Sequence, residues 1–311
     1  MPEEQSPIAV TFLQPPPELQ PYLTALYLTE INVPDGEWIV DYLHPERAAL
    51  RFTDPTPPRG RVGAGELEER YRFTANGPTS QSVWFSISRA RCWGIGLQPA
   101  GWARFIDVPA DALADTIVDG NVEPAFAPFA GLTDIIFGER PDAPAEARRI
   151  VEHLLAMEHR PVPHEEDIFA VQEAIRDPDL ADVAGLARAV GLSSKSLGRL
   201  CKRYFGFKPS LLLRRQRFLR SLAQFMLEPN QNWSSALDGQ YYDQAQFNRD
   251  FHQFMGMKPS DYAKLPHPII NPIMRPRMAD LGAAKPIELP TVLRYDALER
   301  EQRLTRNDAA E

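Results

Sequence analysis

Residues 197–210 read LGRLCKRYFGFKPS, and fifty residues later 247–260 read FNRDFHQFMGMKPS. Arg199 falls over Arg249, and Gly206-x-Lys208-Pro209-Ser210 falls over Gly256-x-Lys258-Pro259-Ser260. Apolar residues coincide at 197/247, 201/251, 204/254, 205/255 and 207/257. Repetition at a fixed offset marks one supersecondary unit used twice. The same offset puts Ser193 over Asp243, both residue types that accept the unpaired N–H groups of a helix's first turn. Gln246, three residues after Asp243, has capping-box spacing.

Each copy reads as helix, tight turn, helix, stop. In the first, Asp182 caps Val183 to Val190, Gly191 ends that helix at positive φ, and Ser193 caps a second helix through Tyr204 or Phe205. Gly206 stops it, and Pro209 suits the first turn of the next helix. In the second copy the helices are about Trp233 to Asp238 and Asp243 to Met255. This is the helix-turn-helix pattern, whose second helix can enter a DNA major groove. Between the copies, Leu211, Leu212, Leu219, Leu222 and Phe225/Met226 repeat at helical period. An eighteen-residue helix there spans roughly 27 Å, comparable to the ~34 Å of one turn of B-DNA.

Charge singles out the same region. The chain carries a formal −8, yet Arg188 to Leu227 holds ten basic residues and no acidic one, leaving −18 on the remainder. A basic island on an acidic chain is the footprint of a polyanion site. A solvated helical face is the other reading of such a run.

Residues about 166 to 264 resemble the DNA-binding domain of the AraC/XylS family of bacterial transcription regulators. The likeness rests on Ala187-x-x-x-Gly191-Leu192-Ser193, Leu197-x-Arg199-Leu200 and Gly206-Phe207-Lys208-Pro209. It rests further on Arg214 and Arg217 of the connection, and on Tyr241-Tyr242-Asp243-Gln244-Ala245-Gln246-Phe247-x-Arg249-Asp250-Phe251 with Gly256-Met257-Lys258-Pro259-Ser260-Asp261-Tyr262. The family has glycine just before the aromatic of the second unit, where this chain has Gln240. Either Gly239 takes that turn, or Gln240 sits at positive φ at a cost of about 1 kcal/mol.

The resemblance implies base-reading roles for Lys195, Arg199, Gln244, Gln246, Asn248 and Arg249. Arginine and lysine suit guanine O6/N7, and Gln and Asn suit adenine N6/N7. Ser194, Lys202, Arg203, Arg214 and Arg215 are assigned to phosphate, which positions without specifying. For Arg199 and Arg249 the competing role is an internal ion pair, with Asp250 or Asp243 as partner for Arg249. Leu197, Leu200, Tyr204, Phe247, Phe251 and Phe254 read as core, and Cys201 as a small core residue.

The first half differs. Short apolar runs bounded by Pro, Gly and Asp (Ile8 to Phe12, Trp38 to Tyr42, Ala49 to Phe52, Tyr71 to Thr74, Val83 to Ser88, Cys92 to Leu97) predict an antiparallel sheet or small barrel. Pro99 opens a helix, Asp142 or Ala143 to Met157 forms another, and Arg160 to Pro163 is the linker. Pro16-Pro17-Glu18-Leu19-x-Pro21-Tyr22 and Gly94-Ile95-Gly96-Leu97-x-Pro99-x-Gly101-Trp102-Ala103 resemble the sensor region of some AraC-family regulators, which implies effector binding, self-association or both. Trp84, Trp93 and Trp102 either line an effector pocket or pack a core. His44, beside Asp41 and Glu46, reads as a loop hydrogen bond.

Other classes fit poorly. The two cysteines, Cys92 and Cys201, cannot build a zinc tetrad, and the six histidines show no pair at metal-ligand spacing. No phosphate-binding glycine loop or Gly-x-Ser-x-Gly elbow occurs. No catalytic residue, metal or cofactor is expected. No run approaches the ~18 apolar residues of a membrane span, and Glu3 and Glu4 argue against a signal peptide, so a cytoplasmic protein is expected.

The expected fold is α+β and multidomain. It comprises a β-rich, barrel-like sensor domain over 1–160, an all-α domain of seven helices with a double helix-turn-helix over 161–265, and a proline-rich, partly disordered tail over 266–311. In that tail Tyr295 to Arg306 reads as a short amphipathic helix, either disordered or folded back on the sensor. The expected function is sequence-specific transcription regulation through double-stranded DNA. Its expected partners are a small-molecule effector, RNA polymerase if it activates, and a second copy as a homodimer. The alternative is a small-molecule-binding or enzymatic β-domain protein whose helical half serves association only.

Overall fold

The computed structural model describes residues 7–67, 71–157, 161–227, 237–273 and 292–295. The first half holds β1 (Ile8–Gln14), β2 (Leu23–Ile31), β3 (Ile39–Leu43), β4 (Ala49–Pro55), β5 (Arg59–Val62), β6 (Phe73–Asn76), β7 (Val83–Ile87), β8 (Ala90–Leu97) and β9 (Ile117–Asp119). Helices α1 (Pro99–Phe105), α2 (Ala127–Ala130), α3 (Leu132–Ile135) and α4 (Ala143–Ala156) complete it. The helical half holds α5 (Glu165–Ala174), α6 (Val183–Ala189), α7 (Ser194–Leu200), α8 (Pro209–Leu227), α9 (Gln244–Met255) and α10 (Pro259–Tyr262). A final strand, β10 (Val292–Arg294), comes from the tail.

The strands form two sheets, one of seven in the order β10-β1-β2-β8-β4-β6-β9 and one of three in the order β3-β7-β5. They do not close on each other, which corrects the barrel-like expectation. Strand β2 is absent from the strands that alternation predicts. Leu23, Leu26 and Leu28 pack into the core under α1 and α4, while Tyr27 and Ile31 pack into the layer beneath the small sheet. A strand covered on both faces shows no alternation to read. The core under the large sheet carries Phe52 stacked on Phe73 at 4.3 Å, with Trp93 and Trp102 sealed inside it. Trp93 and Trp102 are therefore core residues, and Trp84 stands on the outer face with Arg61 over its ring at 5.3 Å.

The helical half seats directly on this domain. Arg215 of α8, 8% exposed, donates to Thr79 O at 2.7 Å and to Glu46 O at 3.3 Å. Ala100 N donates to Gln172 Oε1 at 3.0 Å, and the Tyr22 hydroxyl to Glu165 at 2.9 Å. A Cβ on Gly206 would stand 2.9 Å from Pro78 Cγ, so the close approach there needs glycine. The tail also returns to the sheet: Phe12 to Gln14 pair in parallel with Val292 to Arg294, and Tyr295 is buried in the core. The remainder of the expected 295–306 helix, most of the expected Trp233 to Asp238 helix and part of the 160–163 linker lie outside the described residues.

Candidate nucleic-acid interface

The three described helices of the two units, α6, α7 and α9, are set by the residues expected to set them. Asp182 Oδ1 accepts from Gly185 N at 2.6 Å to start α6, and Gly191 ends that helix at φ +68°. Ser193 Oγ accepts from Ser196 N at 3.1 Å to start α7. This helix runs on into a π-helical turn, Cys201–Phe205, which Gly206 stops at φ +81°. In the second unit Asp243 Oδ1 accepts from Gln246 N at 2.6 Å, while Gln246 Oε1 accepts from Tyr242 N at 3.2 Å. This differs from a reciprocal capping box in that Gln246 takes the N–H of Tyr242, one residue before the cap, and it commits the carbonyl end of Gln246 to the backbone. Gly256 closes α9 at φ +72°.

The inner faces are apolar and closed. Leu197, Leu200, Cys201, Tyr204 and Phe205 pack with α5 and α6. Burial pushes the Cys201 thiol up to about 12, so it stays a neutral core group. Phe247, Phe251 and Phe254 surround Phe218 of α8, with ring centroids 5.0 to 6.3 Å away.

The outer faces carry the polar residues. Ser194, Lys195, Arg199, Lys202 and Arg203 are exposed on α7 and its π turn, and Lys195, Arg199 and Lys202 fall at i, i+4, i+7 on one face. Gln244, Asn248 and Arg249 are exposed on α9, and Gln246 is half-buried. Neither Arg199 nor Arg249 makes an ion pair among the described residues.

The carboxylate expected to compete for Arg249 is occupied elsewhere. Asp250, 3% exposed, receives Arg214 Nη2 at 2.6 Å, Arg217 Nη2 at 3.3 Å and the Tyr241 hydroxyl at 3.1 Å. Arg214 also donates to Gln253, and Arg220 donates to Asp238 Oδ2 at 2.5 Å. The basic island therefore divides. Arg188, Lys195, Arg199, Lys202, Arg203 and Lys208 are exposed on the first unit, while all four arginines of α8 bond within the protein. Two phosphate assignments change accordingly. Arg215 lies in the interdomain contact, where burial and nearby Arg47 lower its guanidinium to about 10. Arg214 is half-exposed and ties α8 to α9.

The turn into α9 follows neither expected route. Gly239 and Gln240 both lie outside the positive-φ region. Asp238 makes the turn: its carbonyl accepts from Tyr241 N at 3.0 Å and its Oδ1 from Gln240 N at 3.0 Å. The Gln240 side-chain amide reaches Pro178 O of the first unit. Two residues carry more than their sequence context shows. Asp250 is legible there only as an acidic neighbour of Arg249, and Tyr242, 94% exposed at the entrance of α9, reads there as motif and not as surface. His44, Asp41 and Glu46 each reach partners remote in sequence or on the neighbouring strand. His44 Nε2 lies 2.6 Å from the Tyr262 hydroxyl, Asp41 meets His267, and Glu46 meets Arg51.

Residues 186–265 match the family described as helix-turn-helix domain. No curated protein sequence matches the chain. Among solved structures, ToxT from Vibrio cholerae is 10% identical and aligns over 73% of this chain and 97% of its own, with a TM-score of 0.42. ToxT with unsaturated fatty acid bound is 9% identical over 75% and 97%, with a TM-score of 0.36. The AraC-like transcriptional activator CuxR is 14% identical over 70% and 88%, with a TM-score of 0.24.

Proposed function

We propose that the chain is a sequence-specific DNA-binding transcription regulator of the AraC type that lays α7 and α9 in successive major grooves, a reading supported by the match of residues 186–265 to the helix-turn-helix family. The observation that carries the proposal is the pair of outward faces. Lys195 and Arg199 on one, and Gln244, Asn248 and Arg249 on the other, are exposed beside closed apolar cores. Helix α8, nineteen residues, separates the two units by roughly 28 Å of helix. Lys195, Arg199, Gln244, Asn248 and Arg249 read bases, joined by the free amide end of Gln246. Ser194, Lys202 and Arg203 hold phosphate. The N-terminal domain senses an effector, the regulator acts in the bacterial cytoplasm, and its further partners are a second copy and, if it activates, RNA polymerase. Among the described residues, no helix is long and apolar enough to cross a membrane.

Arg199→Ala tests the base-reading role. Binding to a selected duplex and to random duplex is measured by fluorescence anisotropy. The substitution is expected to cost roughly 1–3 kcal/mol on the selected duplex and far less on random DNA. Equal losses on both would assign Arg199 to phosphate instead.

A further inference from the structure

A cavity of about 70 Å³ lies between the two sheets, with Tyr27, Phe85, Ile87 and Ile117 among its walls. Ile269 and Ile273 supply another part of the wall, and they belong to the segment that directly follows the second helix-turn-helix unit. Apart from the exposed Arg59, the charged and amide groups in the lining are already engaged. Arg51 donates to Glu46 Oε1 and to Asn76 Oδ1, each at 2.6 Å. The Asn76 amide donates to Gly77 O at 3.0 Å, and the Thr74 hydroxyl to Tyr71 O at 3.2 Å. Away from Arg59, whose guanidinium lies over the exposed Trp38 ring at 4.9 Å, a charged guest would meet no uncompensated counter-charge, and an unpaired buried charge costs several kcal/mol.

The cavity is small for a ligand. A dry apolar cavity that takes benzene measures about 150 Å³, roughly twice this volume, so a guest of that size has to move a wall. Each sheet is held within itself by ladders of backbone hydrogen bonds. The polar anchorage of residues 266–273 to the sheets centres on one carboxylate. Asp41 of β3 accepts from Ile269 N at 2.8 Å and Ile270 N at 2.9 Å, and lies 3.2 Å from His267 Nδ1.

We propose that this cavity binds an uncharged, apolar small molecule about the size of toluene, and that the 266–273 segment is its lid, displaced as the guest enters. The inference rests on reading the N-terminal domain as a sensor, and it gives that sensor a route to the second recognition helix. Tyr262 closes the core of the second unit, stacks on His267 at 4.0 Å and reaches His44 at the end of β3. Ser82, which leads into the cavity strand β7, donates from its N–H to Phe254 O at 2.7 Å and from its hydroxyl to Met255 O at 3.2 Å. Displacement at Ile269 therefore acts on contacts that fix the C-terminal end of α9.

The full chain is titrated calorimetrically with toluene and with benzoate, its carboxylate counterpart, and amide exchange at Ile269 and Ile270 is followed at saturation. Toluene is expected to bind saturably, at least about a hundredfold more tightly than benzoate. Both amides are expected to exchange about tenfold faster in its presence. Ile273→Ala, which enlarges the cavity, is expected to bind toluene more tightly and with less change in exchange. Absence of saturable toluene binding in both proteins, each folded by circular dichroism, overturns the site. Binding that leaves both amides unchanged overturns the lid, and benzoate binding as tightly as toluene overturns the ligand class. DNA binding by the same samples separates the two readings. A chain that binds duplex but no toluene loses the cavity proposal alone; one that takes toluene and opens, yet binds no duplex, loses the regulator reading alone.

Discussion

Asp250 shows how one buried carboxylate decides what its neighbours are free to do. By taking Arg214, Arg217 and Tyr241 it binds α8 to α9, and among the described residues it leaves Arg249 without a carboxylate partner on the outer face. Removing one member of a buried charged cluster strands the others. Asp250→Ala is therefore expected to destabilise the helical half by about 3 kcal/mol, read as a lower urea midpoint. Little change in the midpoint would mean that the cluster is solvated and weak. Arg215→Ala should strand Thr79 O, costing roughly 2 kcal/mol at the contact between the halves, while Glu46 O keeps its bond from Thr79 N at 2.9 Å. A phosphate contact would lower the salt slope of DNA binding by about one unit. Arg215→Ala is expected to leave that slope unchanged, and a unit drop would return Arg215 to the DNA.

At the scale of elements, the parts legible in the sequence are those with a local signal. Asp182, Ser193 and Asp243 as caps, and Gly191, Gly206 and Gly256 as stops, define their helices from a few residues of sequence each. The features that local sequence hides depend on tertiary surroundings. Strand β2 loses its alternation to burial on both faces, and the arginines of α8 look like surface because their partners, Asp238, Asp250 and Thr79, are remote in sequence. The turn before α9 is the sharpest case, since the family's glycine position suggests a glycine-like backbone while Asp238 supplies a side-chain-built turn. Gly239 has ordinary φ, and a Cβ there would meet nothing within 4 Å. Gly239→Ala is expected to be neutral or to stabilise by up to about 1 kcal/mol. Gly206→Ala, by contrast, must place a Cβ at φ +81° against Pro78, and a loss of more than about 1 kcal/mol is expected. Urea unfolding of both variants checks the contrast, and a large loss at Gly239 would restore the shifted-glycine turn.

At the scale of the molecule, both helix-turn-helix units are seated on the β domain. The first is held through Arg215, Gln172 and Glu165, and the second through Tyr262, His267 and the end of α9. Their spacing is thus set by α8 and by the domain beneath it, and a fixed spacing should leave its mark on the DNA that the protein chooses. The most direct test is selection of bound fragments from a random duplex pool by the full chain, followed by sequencing of the winners. The expected result is enrichment of duplexes with two preferred patches about one helical turn apart, ~10 base pairs centre to centre. Arg199→Ala should relax one patch, and Arg249→Ala the other. Failure to enrich any duplex over a scrambled pool at moderate salt, or enrichment of a single patch insensitive to both substitutions, would contradict the account.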